Sequence, residues 1–258
     1  MITQIINTFF ARTPRVKPKT GLLKQVKIIA HRGAHDHRQG IFENTHAAFE
    51  RARQLGCWGV ELDVRSTADH VLIVHHDPHL KRLWKQSAWI NQLTYQQLHA
   101  IAPEVPRLDE VIARYGHQLH LFIELKAPFH DQVVLQKVLS TLLPMKDYHL
   151  ISLKVDLLAR LTAFPVEALL LVPTHYNVGS FCRESLAKPY GGILGHYSLL
   201  TARKIAQLRQ ANQQIGVGFV ESKYSLYREV NRGIHWLFTD NAAALMEIMH
   251  WQDQAKRP

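Results

Sequence analysis

Short apolar, β-branched runs alternate along the chain with stretches whose apolar residues recur at helical spacing. The runs at 25–30, 58–64, 119–125, 148–153, 168–172, 191–194, 214–220 and 234–238 predict eight strands. Helical patterns fall between most of them, at 95–101, 108–115, 131–142, 155–163, 202–211, 224–230 and 242–249. HAAFERARQL is a further helix, with Asn44 or Thr45 as its cap and Gly56 as its stop. The stretch between Val172 and Gly191 reads as helix or loop. Strands alternating with helices predict one α/β domain, a (β/α)8 barrel. The runner-up is an open doubly wound sheet, but no G-x-G-x-x-G follows the first strand.

One apolar run breaks the rhythm. Val71–Val74 follows the second strand after only a short link from Thr67 to His70. A parallel crossover needs about a dozen residues, so this run returns as a hairpin. A turn centred on Ala68 and Asp69 sets Thr67 opposite His70 and Glu61 opposite His76. The domain is expected over 25–250, preceded by a segment 1–24 and followed by a tail 251–258.

The 258 residues are 47% hydrophobic with a formal net charge of +10. That length buries a large core, and the charge favours anionic partners such as phosphate esters or anionic lipid. The basic residues are scattered and not interleaved with aromatics, which argues against nucleic acid. Cys57 and Cys182 make no disulfide framework, as expected of a reducing compartment such as the cytoplasm. No run is long enough to span a membrane. The first residues carry Ile2, Ile5, Ile6, Phe9 and Phe10 ahead of Arg12, Arg15, Lys17, Lys19 and Lys24, the reverse of a secretory signal. Such a segment can rest on an anionic membrane or pack beneath the barrel.

Candidate chemistry gathers at strand ends, where a barrel keeps its active site. Glu61 and Asp63 stand two apart on one strand, so both face the same way; Glu124 and Lys126 repeat the pattern. Three inward carboxylates suit a hard divalent cation, Mg²⁺ or Ca²⁺; the competing reading is ion pairing of Glu124 with Lys126 or Asp63 with Arg32. His31 and His76 can share acid and base duties in phosphodiester cleavage, and Arg32 and Lys126 can clamp phosphoryl oxygens. His75, His79, His99 and His117 are set aside as ordinary surface or core residues. His35 and His37 form an H-x-H, but in a loop, which disfavours a zinc site.

HRG, F-E-N-T, E-L-D-V, H-H-D-P-H-L-K-R and I-E-L-K, in that order and spacing, resemble the glycerophosphodiester phosphodiesterase family. The likeness is close from Val26 to Lys126 and looser afterwards. It implies a TIM barrel that hydrolyses glycerophosphodiesters to glycerol 3-phosphate and an alcohol. It further implies His31 and His76 as the acid–base pair, Glu61, Asp63 and Glu124 as metal ligands, and Arg32 and Lys126 as phosphate contacts. Glu43 would support the metal or His31; its plainer role is a carboxylate near the next helix N-terminus. Phe42 stands where the family has proline, the loop 34–41 is long, GVGFVES replaces a W-T-V-N element, and FTDN-A lacks a proline after T-D. Phe219 and Glu221 are therefore expected to line an altered pocket. Three readings follow: a glycerophosphodiesterase, a lysophospholipase D acting at a membrane, and a phosphate-binding barrel without turnover.

Overall fold

The computed structural model describes residues 8–174, 176–196 and 199–254, the side chains of 251–254 excepted. Eight parallel strands close on themselves: β1 (Lys27–Ala30), β2 (Gly59–Ser66), β4 (His120–Leu125), β5 (Tyr148–Ser152), β6 (Leu169–Leu171), β7 (Gly192–His196), β8 (Gln214–Gly218) and β9 (Trp236–Thr239). β3 (Leu72–Val74) is the hairpin return, antiparallel on β2. Pairing of β1 with both β9 and β2 completes the barrel, which removes the exposed edges an open sheet would keep.

The strand alternation divides the core. From β2, Val60, Leu62 and Val64 face the helices and join a large cluster with Leu121, Ile123 and Leu125 of β4. The barrel interior is a separate cluster containing Ile29, Phe122, Ile151, Leu170, Leu194, Trp236 and Phe238. The outer layer comprises α1 (Thr20–Leu23), α2 (His46–Gln54), α3 (Lys81–Trp84), α4 (Tyr95–Ile101), α5 (Leu108–Tyr115), α6 (Gln132–Val138), α7 (Val155–Ala159), α8 (Val178–Ala187), α9 (Ala202–Gln210), α10 (Lys223–Asn231) and α11 (Ala242–Gln254). Thr45, not Asn44, caps α2, its hydroxyl accepting from the Ala48 N–H at 3.3 Å. The α8 stretch was ambiguous between helix and loop because Gly179 and two serines dilute its pattern. α11 runs to Gln254, four residues into the expected tail.

Between β3 and α5 the chain forms an arch outside the barrel. It has a small core of its own, with Ile73, Leu80, Ile90, Leu98, Ala102 and Val105. Pro78 through Ala88 carries α3, from which Arg82 reaches Asp77.

The hairpin register differs from the expected one by a residue. Val64 faces Val74, Arg65 faces Ile73 and Ser66 faces Leu72. The turn holds Ala68, Asp69 and His70, with His70 left-handed at φ 61°, so it is one residue longer than the assumed turn. Asp63 consequently meets His75, whose N–H donates to the Asp63 carbonyl at 2.9 Å. Glu61 does not face His76 across the ladder. His76 lies beyond the end of β3, freed from the strand's alternation, and its side chain lines the central cavity.

The described part of the N-terminal segment lies at the opposite end from the strand C-termini. The Val16 carbonyl accepts from Asn231 at 2.8 Å, and Arg228 covers the Phe10 ring at 4.3 Å. Both partners sit toward the C-terminal end of α10, which leads back to the start of β9. Ile2, Ile5 and Ile6 lie outside the described residues. Among the described residues no helix is long and apolar enough to cross a membrane.

Candidate active site

The site begins with three acids at the upper ends of β2 and β4. Asp63 and Glu124 are direct partners across the two strands, and Glu61 lies one inward position below Asp63. All three are buried, and one oxygen from each lies within 4.8 Å of the others. Lys126 bridges Asp63, at 2.7 Å, and Glu124. Arg32 Nε stands 3.3 Å from Asp63. The ion pairing weighed against metal binding is thus present, but it leaves Glu61 only the His31 ring, at 3.7 Å.

Glu61 Oε2 accepts the Arg32 N–H at 3.1 Å, while Oε1 is buried without a hydrogen-bond partner. Burial, reinforced by the Asp63 carboxylate, raises the Glu61 carboxyl to about 8. Burial and Asp63 also push Glu124 upward. Burial would lift Asp63 too, but Lys126 and Arg32 hold it well below the usual carboxylate range. Two raised acids and an orphaned oxygen mark negative charge that the local cations leave uncompensated. The donors are all carboxylate oxygens, and the group could hold a metal ion.

The turn after β1 explains the HRG sequence. Arg32 and Gly33 are left-handed at φ 55° and 81°, and a Cβ on Gly33 would sit 2.8 Å from that of Ala48. Glycine lets α2 approach, and the turn delivers both the Arg32 N–H and its guanidinium to the acids. Asn44, also left-handed at φ 59°, donates to Asp63 Oδ2 at 2.8 Å and accepts the Asp63 N–H at 3.2 Å. Its neighbour Glu43 is buried and accepts from Arg32 at 2.8 Å. Glu43 is no solvated helix-end carboxylate: despite burial, Arg82 and Arg32 hold it down at about 2.

His31 and His76 line the same cavity, and each has a carboxylate at Nδ1. His31 Nδ1 lies 2.6 Å from Asp240, and its Nε2 is 3.7 Å from Glu61. Burial lowers His31, but Glu61 and Asp240 outweigh it and raise the imidazole to about 9. His76 Nδ1 lies 2.8 Å from Asp77. Burial lowers His76 overall, so the two rings differ in proton affinity. His35 also reaches Asp240, at 3.5 Å, and His37 reaches Glu43, at 3.7 Å; these contacts are separate and form no shared H-x-H centre.

The cavity measures about 540 Å³ and has two faces. His31, Arg32, Glu43, Glu61, His76, Glu124 and Lys126 make the charged face. Ile151, Leu153, Val172, Leu194, Phe219 and Phe238 make the apolar one. Phe219 is 42% exposed at φ 63° and packs on His196 with ring centroids 5.1 Å apart. Glu221 is exposed outside the lining. Phe42 rests its ring against His37 and Trp84 at 5.4 and 5.5 Å, joining the long loop to the arch.

Sequence reasoning passed over Asn44 as a site residue, Asp77, Arg82 and Asp240. Asp77 adjoins His76, and Asn44 adjoins Glu43, so proximity was a usable signal. Asp240 lies 209 residues from His31, and only closure of the barrel brings β9 beside β1.

Residues 31–157 match the Glycerophosphoryl diester phosphodiesterase family. Over 110 residues the chain is 34% identical to YhdW of Bacillus subtilis, spanning 38% of this chain and 44% of that protein. It is 25% identical over 242 residues to a glycerophosphodiester phosphodiesterase of Caldanaerobacter subterraneus, covering 86% of this chain and 97% of the relative. The chain thus spans under half the length of YhdW but nearly all of the second protein. A phosphodiesterase of Oleispira antarctica, solved in complex with the product sn-glycerol-3-phosphate, superposes with a TM-score of 0.70 at 22% identity, covering 88% of this chain and 96% of that one. With the motif matched across the half that carries the acids and both histidines, the chain belongs to the glycerophosphodiester phosphodiesterase family.

Proposed function

We propose that the protein hydrolyses glycerophosphodiesters to glycerol 3-phosphate and an alcohol. One observation carries the reading: His31, His76, Arg32, Lys126, Glu61 and Glu124 border one cavity at the barrel mouth, and Asp63 groups with the two acids. The glycerol 3-phosphate held by the Oleispira antarctica relative supplies the substrate class.

Glu61, Asp63 and Glu124 would hold one divalent cation, Mg²⁺ or Ca²⁺. When bound, such an ion polarises a phosphoryl oxygen and offsets developing negative charge. Arg32 and Lys126 orient the phosphoryl group and stabilise the same charge through their N–H donors. The acid–base work falls to His31 and His76: one imidazole accepts a proton from the attacking water, and the other delivers a proton to the departing alkoxide, so that one water is consumed for each alcohol released. Their Nδ1 atoms are engaged by Asp240 and Asp77, which leaves each Nε2 for the reaction. Glu43 supports Arg32 rather than either imidazole. Phe219 borders the space for the leaving alcohol, with Glu221 outside it.

The apolar face favours a second reading, a lysophospholipase D for which the leaving group carries an acyl chain. Membrane contact through the N-terminal segment fits that reading poorly, because its described part lies at the end of the barrel away from the mouth. A phosphate-binding barrel without turnover gives no reason for two imidazoles each fixed by an acid.

The test is a screen of glycerophosphodiesters with Mg²⁺, Mn²⁺ or Ca²⁺, reading released glycerol 3-phosphate. Faster turnover of glycerophosphocholine than of lysophosphatidylcholine, with and without residues 1–20, supports the first reading. The reverse order supports the second, and phosphate binding without cleavage of any diester supports the third.

A further inference from the structure

We infer that Arg82, a residue of the arch outside the barrel, is a positioning residue that ties the His76 acid–base group to the Arg32 phosphate clamp. The inference rests on the hydrolytic reading above.

A single guanidinium makes the link. Arg82 Nη1 and Nη2 donate to the two oxygens of Glu43 at 3.0 and 2.6 Å, and Nε donates to Asp77 Oδ2 at 2.6 Å. The other oxygen of Asp77 engages His76 Nδ1 at 2.8 Å. Glu43 Oε1 also receives Arg32 Nη1 at 2.8 Å. The chain of contacts therefore runs from His76 through Asp77, Arg82 and Glu43 to Arg32. Arg82 does not border the cavity, whereas both ends of the chain do.

The chemistry requires arginine. A planar guanidinium grips one carboxylate with both terminal nitrogens while its Nε serves a second. An ammonium is a point charge and cannot hold both acids in fixed directions. Without the fork, Asp77 loses the partner that aims it at His76, and Glu43 keeps Arg32 and the longer His37 contact but no tie to Asp77. A small misplacement of a reacting group costs about 100-fold in rate, so a residue out of reach of substrate can govern turnover.

The experiment compares wild-type protein, Arg82→Gln, Arg82→Lys and Lys81→Ala, an exposed neighbour on the same helix. kcat and KM for a glycerophosphodiester are measured at saturating metal, and the ¹⁵N resonances of His76 are recorded. We expect Arg82→Gln to lose about 100-fold in kcat with KM within about threefold, and to shift the His76 Nδ1 resonance. Arg82→Lys should lose about tenfold and Lys81→Ala less than about twofold. Turnover of Arg82→Gln within about threefold of wild type, or full activity in Arg82→Lys, overturns the inference. A rise in KM matching the loss also overturns it, because Arg82 would then bind substrate itself. Should Arg82→Gln fail to fold, Asp77→Asn probes the same link, and unchanged kcat there overturns it. If wild-type protein cleaves no diester, the hydrolytic reading fails, and the His76 resonance alone decides whether Arg82 positions that ring.

Discussion

His31 and Asp240 meet at 2.6 Å although 209 residues separate them in the chain. The contact exists because β9 closes the barrel against β1, with Ala30 registered on Thr239. Asp240 fixes which nitrogen of His31 is left for the cavity. Asp240→Asn keeps a polar group of similar size but removes the charge. It should lower kcat about 10- to 100-fold with the fold retained. Steady-state kinetics and a thermal melt check this, and kcat within twofold of wild type counts against the role.

Removing either imidazole is a harsher change. His31→Ala and His76→Ala should each reduce kcat by about 100- to 10,000-fold. Near-normal turnover of either variant would strike that residue from the acid–base pair.

Glu61 supplies the carboxylate least compensated by local cations, so metal dependence should centre on it. Chelation should abolish activity of the wild-type protein, and added Mg²⁺ or Ca²⁺ should restore it. The ion should also raise the melting temperature, since a ligand at about 100 times its Kd stabilises the folded state by about 2.7 kcal/mol. Glu61→Gln should weaken both responses. An unchanged metal titration in that variant would remove Glu61 from the ligand set.

A second histidine pair, at the closed end of the barrel, should make stability depend on pH. His120 Nε2 and His149 Nδ1 are 2.7 Å apart, and His120 Nδ1 faces the Lys146 carbonyl at 2.9 Å. His120 also stacks on Trp58 at 4.4 Å, with Lys27 over the same indole. Burial lowers His120 to about 4 and, together with His120, lowers His149 to about 3, from an ordinary 6.5. Below pH 6.5 the unfolded chain binds protons that the folded one refuses, so stability falls as pH drops toward 4. At pH 5 each ring should cost about 2 kcal/mol relative to pH 8. Urea denaturation at pH 8, 6 and 5 measures the slope, which should be shallower in His149→Gln. Equal slopes would show that the pair does not stay neutral.

The sequence was most readable where period and burial agree. Glu61 and Asp63 could be assigned to one face because β2 alternates cleanly, with Val60, Leu62 and Val64 turned to the helices. Glu124 followed by the same rule on β4. The hairpin register was not readable, since one residue more in the turn reverses every facing pair, and nothing local signals that His70 adopts φ 61°. His76 lines the cavity because it lies beyond β3, not because it faces Glu61 across the ladder. Arg82 and Asp240 were hidden for another cause: their partners are set by chain closure and by the arch, which no periodicity encodes. Glu221 follows Phe219 by two residues yet lies outside the cavity lining, because β8 ends at Gly218 and alternation does not continue past it.

The seat of the described N-terminal residues beneath the barrel has a practical consequence. Protein anchored to a bead or sensor chip through that end would hold its opening toward the bulk liquid. Reagents would then arrive by free diffusion, without having to pass beneath the molecule.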